Sequence, residues 1–173
     1  MDNSDDAIVD LDEVDLRLLE HVEEDFDVNL EELSERLGLS KSAIHYRLNK
    51  LRDKDVINGV SADLDPLAFG LNMMVISDVS VIHDSGYADE IGAQLTSIDG
   101  VEQVYYTMGD VDFVVVSRVQ NRTQMNEILD EMVAVDGVNE TSSRFVMKEF
   151  NTDTKTLANM SGDMREAIVD FDG

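Results

Sequence analysis

The chain contains no cysteine, no tryptophan and a single proline in 173 residues. Without cysteine there is no disulfide, no thiol nucleophile and no thiolate ligand for a metal. No window approaches the roughly 18 consecutive apolar residues of a membrane-spanning helix, so no membrane partner is expected. The opening MDNSDDAIVD has neither a basic start nor an apolar core, so it does not read as a secretory signal. His21, His45 and His83 stand far apart in no metal-ligating spacing, and no serine-nucleophile motif is present. The expectation is a cytoplasmic protein that is not an enzyme and holds no metal or cofactor.

Positive charge is the scarcest commodity: 13 Lys and Arg face 38 Asp and Glu, for a formal charge of −25. Such charge maintains solubility but strains the compact state by self-repulsion, a balance that halophiles exploit. At 1 M salt screening acts over about 3 Å and removes much of that repulsion. The composition therefore points to a halophilic, high-salt cytoplasm. A strongly acidic protein at ordinary salt is the plainer alternative. The many carboxylates read as solvated surface rather than as acid/base pairs.

An apolar fraction of 43% supports globular folding in one or two domains. Residues 1–10 read as an acidic tail. Asp12 is a candidate N-cap, and Val14, Leu18, Leu19 and Val22 give the first helix an apolar stripe. Asn29 caps a second helix, with Glu32 completing a capping-box-like pair and Leu30, Leu33 and Leu37 facing inward. Gly38 ends that helix and Ser40 caps a third, over 41–54. This helical domain spans 11–58. Asn58-Gly59 then predicts a hairpin whose second strand runs over 60–65, with a linker completing the 59–70 segment.

The second half alternates differently. Strands are predicted over 71–81, 101–107, 113–119 and 141–149, with helices over 87–97 and 124–135. The order is βαββαβ across a domain of 71–150. Ser97-Ile98-Asp99-Gly100-Val101-Glu102 echoes 37 residues later as Ala134-Val135-Asp136-Gly137-Val138-Asn139. Two such units make a ferredoxin-like split βαβ sandwich. A chance six-residue match is the alternative.

Six of the 13 basic residues fall between Arg36 and Lys54, where Asp53 is the only acid, giving a local charge of 6 − 1 = +5. On a helical wheel Ile44, Leu48 and Leu51 lie within about 60° of one another, opposite Ser42, Tyr46 and Asn49. Such a helix enters the major groove of double-stranded DNA in a helix-turn-helix. Ser42, His45, Tyr46 and Asn49 are the candidates for base edges. Lys41, Arg47, Lys50, Arg52 and Lys54 suit phosphates. A solvated amphipathic helix is the competing reading.

Taken in order, Leu11-Asp12…Asp15, Leu33-Ser34…Leu37-Gly38-Leu39-Ser40, Arg47-Leu48…Leu51, Val56-Ile57 and Leu64-Asp65-Pro66…Phe69-Gly70 resemble the Lrp/AsnC (feast/famine) family. Gly100-Val101, Gly109-Asp110-Val111-Asp112 and Gly137-Val138 extend the resemblance over about 11–150. It implies an α+β protein, an amino-terminal winged helix-turn-helix followed by a ferredoxin-like effector and oligomerisation domain. It also implies a transcriptional regulator, a homodimer or larger homo-oligomer, and a small effector such as an amino acid. With the acidity, a halophilic archaeal source is expected. The chain departs from the family at Asp55, where glycine is frequent, and in an extension over 151–173.

The resemblance also places effectors near Gly109-Asp110-Val111-Asp112, between subunits. An amino acid needs a carboxylate for its ammonium and N–H or hydroxyl donors for its own carboxylate. Asp110 or Asp112 suits the first role. Thr107, Met108, Gly109, Thr141, Ser142 and Ser143 suit the second. An ordinary Gly/Asp turn explains the same residues. Two other functions stay open: a tetrapyrrole decarboxylase-like enzyme sharing the two-domain plan, and a metabolite sensor without DNA binding.

Overall fold

The structure, a computed structural model, describes residues 9–24, 29–82, 87–150 and 155–170. The expected tail at 1–8 and His83 lie outside them, as do 151–154 and 171–173. Two compact units form: residues 1–62 with 152–173, and residues 63–151.

In the first unit α1 (Glu13–Glu24), α2 (Leu30–Leu37) and α3 (Lys41–Asp53) enclose Leu18, Leu33, Ile44 and Leu51, all at or below 1% exposure. Asn29 caps α2 by accepting from the Glu31 and Glu32 N–H groups at 3.0 and 2.9 Å, while Glu32 itself turns to Arg36. Both α2 and α3 end in the same way. Leu39 N–H reaches back to the Ser34 carbonyl, and Val56 N–H to that of Leu51, around a residue with positive φ. That residue is Gly38 (φ 68) in the first case and Asp55 (φ 56) in the second. Asp55 thus takes the left-handed conformation that glycine more commonly supplies at such a helix end, one that aspartate tolerates better than most residues.

The hairpin expected at Asn58-Gly59 is not formed, and residues 58–65 join no strand. A two-residue type I′ turn needs positive φ at both central positions, and neither residue has it. Val60 and Leu64 stay exposed, so the segment has no burial to stabilise a two-stranded ribbon.

The second unit is a four-stranded antiparallel sheet in the order β2-β3-β1-β4, with α4 and α5 on one face. Its elements are β1 (Met73–Val81), α4 (Tyr87–Thr96), β2 (Val101–Tyr106), β3 (Phe113–Val119), α5 (Arg122–Ala134) and β4 (Val138–Phe145). β4 begins and ends earlier than the expected 141–149, because its ladder runs along β1 from Val81 to Val75.

The sequence echo is a structural one. Gly100 (φ 89) and Gly137 (φ 93) each end a helix-to-strand turn. A Cβ on Gly100 would lie 2.8 Å from Ile128 of α5, and one on Gly137 would lie 3.0 Å from Ile91 of α4. Each half therefore reserves space for the other's helix. The Gly100 carbonyl accepts from Arg118 N–H, and that of Gly137 from Ile82 N–H, at 2.9 and 2.8 Å. The register shifts, between Val101 and Gln103 in one pairing and between Val138 and Glu140 in the other, put the bulges at Glu102 and Asn139. These are the last residues of the two echoed hexapeptides.

The carboxy-terminal extension belongs to the helical unit. The Glu23 carboxylate of α1 accepts three successive backbone N–H groups, from Thr156, Leu157 (2.9 Å) and Ala158 (3.3 Å). Leu157 is 8% exposed within the helical core, where Met160 and Ile168 also pack. Ser161 caps α6 (Gly162–Val169), and Arg165 pairs with Glu20 while donating to the Leu157 carbonyl. We expect Leu157→Ala to lower the stability of the helical unit by about 2 kcal/mol, the lower end for a buried leucine. Deletion of 155–173 should lower it further. Denaturant unfolding followed by circular dichroism checks this, and unchanged midpoints would show the tail to be a passenger.

Candidate nucleic-acid interface and effector loop

Ser40 starts α3 by accepting the Ala43 N–H at 3.2 Å, which orients the helix from its first turn. Ile44, Leu48 and Leu51 are buried. Ser42, His45, Tyr46 and Asn49 follow i, i+3, i+4, i+7 spacing and are all exposed, Tyr46 at 70%. All four expected base-edge residues therefore share one solvent-facing stripe. Asn49 Nδ2 lies 3.2 Å from His45 Nδ1, and Arg52 donates to Asn49 Oδ1 at 3.3 Å.

The five expected phosphate ligands do not behave alike. Lys41 meets Glu31 at 2.9 Å, but both side chains are exposed, so the pair contributes only about 0–1 kcal/mol. Lys50, Arg52 and Lys54 form no ion pair among the described residues. Arg47 turns inward. Its guanidinium donates to Asp15 at 2.6 Å and Asp12 at 2.7 Å, and Asp15 is 1% exposed. Arg47 is thus an internal tie between α3 and α1, in contrast to the phosphate role expected of it. Desolvation pushes the Asp12 carboxyl up, but hydrogen bonds from Arg47 and the Asp15 N–H outweigh it and hold it below its ordinary value. The hydrogen bonds to Asp12 and then Asp15 raise Arg47 in turn. Sequence reasoning did not find Asp15 as a buried partner; its only signal was an acid set between Val14 and Leu18 of the apolar stripe.

The expected effector residues divide as well. Thr107 N–H donates to the Asp112 carbonyl at 2.8 Å, and its hydroxyl donates to that of Val111. Asp112 N–H donates to the Val79 carbonyl at 3.1 Å, while its carboxylate accepts the Val81 N–H at 2.9 Å. Asp112 therefore braces the loop against β1. Met108, Gly109 and Asp110 project as an exposed tip. The three hydroxyls of β4 do not converge, because strand residues alternate between faces. Ser143 pairs with Ser77, at 2.7 Å between hydroxyls, and shares its face with Thr141, whereas Ser142 lies on the opposite face with Asp78.

Beside this loop is a hollow of about 260 Å³, lined by Ala88, Asp89, Gly92, Val104, Tyr106 and Phe113. Tyr87 and Tyr106 join hydroxyls at 2.9 Å next to it, and that hydrogen bond pushes the Tyr87 phenol up to about 12. Sequence reading placed Tyr87 on a helix face and Tyr106 in a strand, with nothing to show that they meet.

Known proteins share this plan. A winged helix-turn-helix DNA-binding family model matches residues 11–58, and an Lrp/AsnC ligand binding domain model matches 75–156. The HTH-type transcriptional regulator FL11 of Pyrococcus horikoshii is 34% identical over 147 residues, 85% of this chain and 96% of its own. The regulator LrpA of Mycobacterium tuberculosis is 29% identical over 147 residues, 85% of this chain and 97% of its own. Among solved structures, a Neisseria meningitidis transcriptional regulator in complex with L-methionine superposes with a TM-score of 0.79 at 25% identity. It covers 86% of this chain and 97% of the other. The M. tuberculosis feast or famine regulatory protein complexed with L-methionine gives 0.76 at 28%, covering 85% and 99%. With both halves matched and a relative above 30% identity covered almost end to end, the chain belongs to the Lrp/AsnC family of transcriptional regulators.

Proposed function

We propose that this regulator sets α3 into the major groove, with Ser42, His45, Tyr46 and Asn49 toward base edges. Lys41, Lys50, Arg52 and Lys54 then face phosphates. The observation that carries this reading is the exposed polar stripe, flanked by Lys50, Arg52 and Lys54, which have no carboxylate partner among the described residues, on a chain of charge −25. The acidic remainder repels DNA from other faces and so orients the approach. The work is that of a cytoplasmic regulator rather than an enzyme. Arg118 and Arg144, basic groups that could hold a tetrapyrrole's carboxylates, are committed to Glu102 and Glu149 and to Asp78. The acidity supports operation at high salt, as in a halophilic archaeon.

A salt series tests both statements on the full chain and a duplex from upstream of its own coding sequence. Lys50→Gln with Lys54→Gln should weaken binding and reduce the salt slope by about 2, one for each phosphate contact. The unfolding midpoint of the free protein should rise from about 0.15 M to 1 M KCl as screening tightens. Wild-type affinity and slope in the double variant would remove the phosphate assignment, and a falling midpoint would remove the high-salt reading.

We further infer that an amino-acid effector binds at the 107–112 loop. Asp110 receives its ammonium, the exposed backbone at Met108 and Gly109 contacts its carboxylate, and its side chain enters the adjoining hollow. That space is below the roughly 300–1,000 Å³ of drug-sized sites, which suits a small metabolite. Both solved relatives described above hold L-methionine. A second copy packs on the helix-free sheet face, where Met74, Ile76, Val114 and Tyr105 lie. Calorimetry against a panel of amino acids should give one ligand whose heat disappears in Asp110→Asn, with sedimentation of the same sample reporting a dimer or larger. No heat from any amino acid, or a monomer, would count against the respective statement.

A further inference from the structure

The contacts around Asn49 fix more than its exposure. A guanidinium only donates, so the Asn49 atom facing Arg52 is the amide oxygen and the one facing His45 is the amide nitrogen. That nitrogen only donates, so His45 Nδ1 accepts. The neutral imidazole then carries its proton on Nε2. One chain of donors runs Arg52 → Asn49 → His45 along the outer surface of α3.

Arg52 lies three residues after Asn49 and His45 four residues before it, so they approach from opposite ends of the helix. A carboxamide has two edges. The back edge offers one oxygen lone pair and one N–H, one for each neighbour. The front edge keeps the other lone pair and the other N–H, side by side. These are the acceptor and donor that adenine requires at N6 and N7 in the major groove.

Resting on the placement of α3 in the groove, we propose that Asn49 reads an adenine, and that His45 and Arg52 are positioning residues that hold its amide ready for that base. The acceptor lies toward the carboxy-terminal end of α3 and the donor toward its amino-terminal end. Unlike Lys50 and Lys54, Arg52 thereby contributes to specificity as well as to charge. Without its two neighbours the Asn49 amide can flip, and a flipped amide offers the reverse pattern.

Selection from a fully randomised duplex library by the full chain tests this. The wild type should enrich a motif with one A·T position preferred about 5- to 150-fold, the size of a bidentate base contact. Asn49→Ala should flatten that position and leave the others. His45→Ala and Arg52→Lys should weaken the same position, Arg52→Lys without changing the salt slope, since its charge is kept. His45→Gln, whose amide oxygen can accept from Asn49, should restore it. Lys50→Gln should lower affinity and leave the motif intact. All these residues are exposed or half-exposed, so equal unfolding midpoints will confirm that the variants remain folded. A motif unchanged in Asn49→Ala overturns the adenine reading, and one unchanged in His45→Ala and Arg52→Lys overturns the positioning role. Failure of the wild type to enrich any motif would overturn the placement of α3 itself, and this proposal with it.

Discussion

The contact between Arg47 and the buried carboxylate of Asp15 governs how α3 presents itself. Asp15 is 1% exposed, and a buried charge left without its partner costs about 3–5 kcal/mol. Arg47 therefore has to face α1. With Ile44, Leu48 and Leu51 packed on the same side, the helix has no rotational freedom left. Ser42, His45, Tyr46 and Asn49 point outward because everything opposite them is fixed. The exposed stripe is a consequence of an ion pair on the opposite side of the helix.

Scarcity of positive charge makes such assignments consequential. Each cation held in a buried or half-buried ion pair is withdrawn from any nucleic acid. On α3 Arg47 bridges two carboxylates inward, while Lys41, Lys50 and Arg52, with Lys54 at the helix end, remain toward solvent. A planar guanidinium suits a fixed, multi-acceptor site, and a strongly hydrated ammonium suits a mobile contact with phosphate. The same division recurs elsewhere. Arg118 bridges Glu102 and Glu149 at the end of the sheet, and Arg165 holds the tail to Glu20. Strong salt weakens the exposed contacts more than the half-buried ones. At high ionic strength the fold would then keep its ties while recognition leans on shape and base contacts.

The features legible in the sequence were those with a local cause. Asn29, Gly38 and Ser40 marked the ends of α2 and α3 because capping depends on one or two side chains. The echo around Gly100 and Gly137 exposed the two-fold repeat of the sheet unit, since each glycine meets an isoleucine on the opposite helix. What was not legible depended on partners far along the chain. Arg47 reads as a phosphate ligand, and nothing local ties it to Asp15, 32 residues away. The role of Glu23 required Thr156, Leu157 and Ala158, which follow after the entire second unit. Ser142 and Ser143 read as one hydroxyl cluster until register placed them on opposite faces. Asn58-Gly59 misled because a turn-prone pair makes a hairpin only where its strands find something to bury.

The division of labour between Arg47 and the outward cations is tested most directly by a double-mutant cycle on Arg47→Gln and Asp15→Asn, read for both stability and DNA affinity. Arg47→Gln should destabilise the protein by about 3 kcal/mol, much of it recovered when Asp15→Asn removes the stranded charge. Under conditions where all variants are folded, affinity and salt slope should match the wild type. A salt slope lower by about 1 in Arg47→Gln, with stability unchanged, would instead place that guanidinium on a phosphate and contradict the orientation of α3 described above.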